Sequence, residues 1–139
     1  MRDSTAKHLS TLHTLIYKAS RGHVGKRLVA NDMLLLSTTG RKTRTTHTVP
    51  LLYLRDGDDY VVIASWGGRD HHPHWYLNLL AEPVATVQVR RQRFRVSAET
   101  ANSDRRNLLW PRVLDAYDGY RAYQAKTSRE IPLVILTAV

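Results

Sequence analysis

The sequence contains no cysteine, which removes disulfide bridges, thiolate metal sites and cysteine nucleophiles. No apolar run approaches the ~18–20 residues that cross a bilayer. The N-terminal MRDSTAKHLSTLHTL lacks a continuous apolar stretch followed by a small-residue cleavage site, so the expected compartment is the cytoplasm. Acids are scarce: 12 Asp and Glu face 21 Lys and Arg, for a net charge of +9, and the first 50 residues hold only Asp3 and Asp32. The GxSxG elbow, the GxxxxGK[ST] phosphate loop and the HExxH zinc helix are all missing, and no carboxylate pair is spaced for acid–base work. Without an intrinsic nucleophile, an enzyme of this composition takes its chemistry from a cofactor.

What remains is an ordinary globular composition in 139 residues, 42% hydrophobic and 24% charged, which fits a single domain over 1–139. Residues 5–20 place Ala6, Leu9, Leu12, Ile16 and Ala19 at helical spacing, and RGHVGK at 21–26 reads as a loop. Met33–Thr39 and Thr48–Arg55 read as buried strands. RDGDD at 55–59 is a turn that returns Tyr60–Ala64 as a hairpin partner. GGRDHHP at 67–73 is a loop, with Pro73 opening a short helix over His74–Ala81. Val84–Val89 turns at Arg90–Arg91 into Phe94–Ala98. Ser103 or Asp104 caps a helix to about Tyr117, weakened at Gly119 before a last turn through Tyr123, and Pro132–Ala138 closes as an apolar strand. About six strands joined by short turns predict an α+β fold: a mainly antiparallel barrel with a leading amphipathic helix and short inserted helices.

Three segments carry the chemistry. TTGRKTRTTHTVP, residues 38–50, joins two apolar strands and holds Arg41, Lys42, Arg44 and several threonines with no acid. A fork-shaped guanidinium, a point charge and hydroxyl donors suit a phosphate, and Gly40 is the residue expected to adopt positive φ there. ASWGGRDHHPHWYLNL, residues 64–79, brings Ser65 and two glycines beside Trp75, Tyr76 and Asn78. His71, His72 and His74 read as loop histidines and the HExxH pattern is missing, so no metal is expected. Tyr117, Tyr120 and Tyr123 recur every third residue, on one face of a helix, either as core packing or as a pocket wall. The cluster Arg90, Arg91, Arg93 and Arg95 includes only Phe94 as an aromatic, which argues against a nucleic-acid partner.

TTGRKT, VPLLYLRDGDDYVVIAS, the GG pair, HPHWYLNLLAEP, ATVQV and the closing IPLVILT, in this order and spacing, resemble the deazaflavin-dependent nitroreductase family of actinobacteria over roughly residues 33–139. The resemblance implies a split β-barrel that binds coenzyme F420, a phosphorylated and polyanionic deazaflavin. It further implies hydride transfer from the reduced cofactor to a small electron-poor acceptor such as a quinone, an enone or a nitroaromatic. Carried over by position, Arg41, Lys42 and Thr43 are the phosphate cradle, and His47, Thr48, Val49 and Pro50 pass beside the tail and ring edge. Ile63, Ala64, Ser65 and Trp66 line the deazaflavin, while His74, Trp75, Tyr76, Leu77 and Asn78 form the helix that closes over it. Tyr120 faces the ring as the catalytic group, and Tyr117, Tyr123 and Leu52 stand on the substrate side.

The chain departs from the family pattern at four places. His47 replaces a common arginine, so the anion site is expected to weaken toward alkaline pH. Trp66 replaces a common lysine, Leu52 a tyrosine, and Arg44–Thr45 a glycine-containing stretch. The alternatives are an FMN-binding split barrel, a non-catalytic F420 carrier and a nucleic-acid-binding barrel. The assembly is expected to be a monomer or a homodimer. The leading helix, with Lys7 and Lys18, suits peripheral contact with an anionic membrane as well as it suits packing on the barrel.

Overall fold

The computed structural model describes residues 33–139; the expected helix over 5–20 and the loop over 21–26 lie outside the described residues. Six strands run β1 (Met33–Thr39), β2 (Thr46–Asp56), β3 (Asp59–Ile63), β4 (Val84–Val89), β5 (Gln92–Thr100) and β6 (Leu133–Ala138). Three helices are inserted: α1 (His74–Ala81), α2 (Ser103–Ala116) and α3 (Gly119–Ala125). The strands close into a barrel in the order β1-β2-β3-β6-β5-β4, with each pairing antiparallel.

Alternation along the strands makes two apolar layers. Leu34, Leu36, Val62, Val87, Val96, Val134 and Leu136 point into the barrel. Val61, Ile63, Leu133 and Ile135 point outward, where Leu109, Val113, Tyr117 and Tyr120 of the α2–α3 segment cover them. That double burial explains why VVI in β3 and LVIL in β6 are unbroken apolar runs, since neither face meets water. Trp75, Tyr76 and Leu79 of α1 join the interior cluster.

The α1 bounds are those expected, His74–Ala81, with Pro73 as its N-cap at φ −65°. Asn102, not Ser103 or Asp104, caps α2: its side chain accepts from the Arg105 N–H at 2.9 Å, while Asp104 faces the positive end of the dipole in the first turn. Tyr117 ends α2 with φ −142° and ψ 82°, so the three tyrosines straddle a break instead of sharing one helix. The α2 helix is tied to the β2–β3 hairpin by Arg105, whose Nη2 lies 3.1 Å from Asp56 and 3.0 Å from Asp59. Arg112 adds a contact to Asp56 and donates to the Arg55 carbonyl at 2.7 Å. The Arg105 hydrogen bond holds the Asp56 carboxyl below its ordinary range. These groups are partly exposed, so each pair contributes little and the network fixes orientation more than stability.

Candidate functional site

The β1–β2 connection, residues 40–45, is a tight loop closed by Gly40 N–H to the Thr45 carbonyl at 2.7 Å and Arg44 N–H to the Gly40 carbonyl at 2.9 Å. The residue with positive φ is Arg44, at 62°, and Gly40 is not in that region. Glycine is needed at position 40 for a different reason. A Cβ there would collide with Thr43 Oγ1 and stand 2.6 Å from His47 Nε2. His47 Nε2 also lies 3.0 Å from Thr43 Oγ1, which in turn is 2.8 Å from Thr45 Oγ1. The loop is thus packed around a His–Thr cluster, with Lys42 exposed and Arg41 half-buried.

Those cations border a cavity of about 550 Å³ to which Arg41, Lys42, Thr43, His47, Thr48 and Asn78 contribute, with no carboxylate on its wall. Asn78 on α1 is buried and sets the geometry. Its Oδ1 accepts from the Arg41 backbone N–H at 3.2 Å and from Arg41 Nη1 at 2.9 Å, and its Nδ2 donates to Thr38 Oγ1 at 3.1 Å. One amide side chain therefore joins β1, the loop and α1, and fixes the direction of the guanidinium.

Val49, His74 and Trp75 also line a second, larger cavity of about 890 Å³, so the two form one groove. His74 stands at the junction, its Nδ1 3.4 Å from Arg41 Nη2 and its ring 5.6 Å from the Trp66 ring. The larger end is apolar and aromatic. Pro50 and Leu52 of β2 and Ile63 of β3 form one side, Ser65 and Trp66 a second, and the three tyrosines a third. Asp115 and Asp118 also border this end.

The second side of this cavity is an unusual turn. Trp66, Gly67 and Gly68 have φ of 46°, 65° and 83°, three left-handed residues in succession. Gly68 also approaches α3 so closely that a Cβ would meet the Tyr123 carbonyl. Arg69 stacks over the Trp66 ring at 4.7 Å.

The tyrosines divide by their hydrogen bonds. Tyr117 donates to the buried Tyr53 carbonyl at 3.0 Å, which ties α2 to the barrel. Tyr120 packs edge-to-face between Tyr117 and Tyr123, with ring centroids at 6.1 and 5.6 Å. Its hydroxyl makes no hydrogen bond to the described residues. Burial, reinforced by Tyr123, pushes the Tyr120 phenol well above its ordinary value, so it keeps its proton near neutral pH.

Three of the expected site residues lie off the walls of both cavities. Ala64 is fully buried, Tyr76 turns away to bond Thr100 Oγ1 at 2.8 Å, and Leu77 is half-buried on another face of α1. His72 and His74 bond different arginines, Arg129 and Arg41, and no group of metal-ligating side chains forms among the described residues. Sequence reasoning missed Met33, Leu51, Asp115 and Asp118 on the cavity wall, and Arg129 behind it. Leu51 lies in the VPLLYL block without a role read for it; the others stand in no motif, and the barrel closure and the helix break bring them to the site.

Comparison with known proteins gives a consistent answer. Residues 9–138 match the family described as F420H(2)-dependent quinone reductase. An F420H(2)-dependent quinone reductase of Mycobacterium tuberculosis is 41% identical over 133 residues, spanning 93% of this chain and 89% of that protein. Among solved structures, an F420-H2 dependent reductase superposes with a TM-score of 0.71 at 33% identity, covering 81% of this chain and 99% of the other. A second, described as a domain-swapped dimer, superposes at 0.70 with 30% identity, covering 96% and 98%.

Proposed function

The chain belongs to the F420H(2)-dependent quinone reductase family, and on that premise we propose that the groove holds reduced F420 with its phosphate at the Arg41–Lys42 end and a quinone at the tyrosine end. The observation that carries this reading is the continuity of an acid-free cationic cavity with an aromatic one through Val49, His74 and Trp75. A long molecule that is anionic at one end and planar at the other fits such a groove. When bound, the reduced deazaflavin supplies the hydride.

The protein's own residues bind, orient and hold protons. Arg41, set by Asn78, and Lys42 fix the anionic end, with Thr43 and Thr48 hydroxyls as further donors. The apolar walls of Pro50, Leu52, Ile63 and Trp75 limit water around the reacting atoms and strengthen polar contacts made there. Ser65 supplies a polar atom on the second side. Tyr120 keeps its phenolic proton and donates a hydrogen bond to the quinone oxygen as that oxygen gains charge. The proton that completes the quinol comes from water at the cavity mouth.

The deciding experiment is a titration of the purified protein with F420 and with FMN, followed by oxidation of reduced F420 by a neutral naphthoquinone. F420 should bind in preference, binding should weaken with salt, and the quinone should be consumed. Equal or tighter FMN binding would move the protein to the FMN reading. A homodimer is the assembly to test first by sedimentation, given the domain-swapped relative. Flotation with anionic vesicles tests whether residues 5–20 bring the site to a bilayer.

A further inference from the structure

Outside the groove, one side chain makes an unusual set of contacts with a single loop. Arg129, in the segment before β6, donates from Nη2 to the Ser65 carbonyl at 2.7 Å and from Nη1 to the Ala64 carbonyl at 3.2 Å. Its Nε donates to the Arg69 carbonyl at 2.7 Å, and its Nη1 lies 3.0 Å from His72 Nδ1. All three guanidinium nitrogens are directed onto residues 64–72, the loop that supplies Ser65, Trp66 and Gly67 to the larger cavity.

Arg129 is itself anchored. Gln124 of α3 donates to the Arg129 carbonyl at 2.8 Å and accepts from the Ile131 N–H at 2.9 Å, and the Arg129 N–H donates to Thr127 Oγ1 at 3.2 Å.

The loop needs such a hold. Three consecutive left-handed residues, one of them tryptophan, are a conformation that a free chain seldom adopts and that surrounding structure must impose. Its own hydrogen bonds are few: Gly68 N–H to the Ser65 carbonyl at 2.9 Å and Arg69 N–H to the Trp66 carbonyl at 3.2 Å. Gly68 pressing on Tyr123 blocks movement toward α3, and Arg129 blocks movement away from it. Lysine could not replace the arginine, because a single ammonium cannot reach carbonyls spread from Ala64 to Arg69 with a fork's geometry.

We propose that Arg129 is a positioning residue of the active site: it holds the Ser65–Gly68 turn in its left-handed form and so shapes the wall against which the acceptor is bound. The acceptor part rests on the function proposed above; the turn itself does not. The test uses Arg129→Lys and Arg129→Ala in the full chain, with three readouts.

Hydrogen exchange on the cofactor-free protein should show residues 64–72 losing protection at least tenfold, while the β1, β3 and β6 amides exchange as in the wild type. With reduced F420 and menadione, KM for the quinone should rise about tenfold and kcat should fall less, because the chemistry is left in place. Ethylguanidinium, at concentrations far below those that denature, should recover part of the lost kcat/KM in Arg129→Ala.

Unchanged exchange in 64–72 would overturn the proposal. So would protection lost evenly across the barrel, or an activity loss that follows melting temperature alone and is not rescued. If the wild type itself reduces no quinone, the proposed function falls and the acceptor part falls with it, while exchange still decides whether Arg129 holds the turn.

Discussion

Replacing Tyr120 by phenylalanine removes one oxygen and keeps the ring. In the structure that oxygen bonds no described residue, and the edge-to-face contacts to Tyr117 and Tyr123 survive the change. Folding stability should therefore move by no more than about 0.5 kcal/mol, which is within the range of changes that disturb no packing. Turnover should behave differently. A donor aimed at a developing anion in a dry site is worth ~10²-fold or more. Water reaching the open cavity softens that, so a fall of about ten- to a hundredfold is expected. Tyr117→Phe is the internal control. Its hydroxyl serves the Tyr53 carbonyl, and losing that bond costs about 0.5–1.5 kcal/mol, several degrees of melting temperature, with turnover per folded molecule held. The assay follows oxidation of reduced F420 by a neutral naphthoquinone at saturating cofactor, with melting curves on the same preparations. If Tyr120→Phe melts low and turns over normally, Tyr120 is a packing residue and the acceptor lies elsewhere.

Changing Arg41 and Lys42 together to alanine should weaken F420 several-fold to a hundredfold, about 1–3 kcal/mol for charged hydrogen bonds, and flatten its salt dependence; unchanged affinity by fluorescence titration would make the loop a basic turn only. Gly40→Ala drives a methyl into Thr43 and His47, so F420 affinity should fall at least tenfold with the barrel's melting temperature little changed. His72 is held below its ordinary value by burial and, secondarily, by Arg129, so the unfolded chain takes up that proton first. Its contribution to stability is complete above about pH 6.5 and is lost as pH falls through the window beneath. His72→Gln should flatten the melting temperature between about pH 7 and 5, and equal slopes in both proteins would refute this. Tyr120 is shifted upward, so the unfolded phenol ionises first and stability is lost as pH rises above about 10; Tyr120→Phe should soften that alkaline loss in pH-dependent melts.

The barrel was legible because its signals are local. Strand alternation, the aspartate–glycine turn at Asp56–Gly57 and the proline before α1 each act over a few residues. The cationic loop was legible for the same reason: its cations and threonines are contiguous. Two features were misjudged because proximity in three dimensions decides them. Gly40 was expected to be glycine for its φ, yet the constraint is the His47 ring arriving from β2. The helix end near Tyr117 and the weak point at Gly119 are legible, but the single helix face expected for the tyrosines is not there: Tyr117 caps α2, and α3 carries Tyr120 and Tyr123. Arg129 had no signal at all. It sits alone in a polar stretch, and its partners are some sixty residues away.

Trp66 stands where the family resemblance leads one to expect a lysine. A lysine at that position would place a mobile cation beside the acceptor cavity. Tryptophan removes the charge, but Arg69 stands 4.7 Å over the indole face, a contact that holds a cation against the same ring. The His74 ring also approaches the indole, at 5.6 Å, and Arg41 in turn lies against His74. The cationic end and the aromatic end of the groove are thus connected through Arg41, His74, Trp66 and Arg69. The indole adds a rigid surface for a planar ligand where a lysine would add a flexible one. Leu52 acts in the same direction, since an aliphatic side chain on the opposite wall removes a hydroxyl that a tyrosine would supply. With neither group present, the polar side chains bordering this end include Ser65, His74, Asp115, Asp118 and the three tyrosines. Among the tyrosines, Tyr120 has a phenol that burial holds firmly protonated, which is why the proposed acceptor contact is tested there.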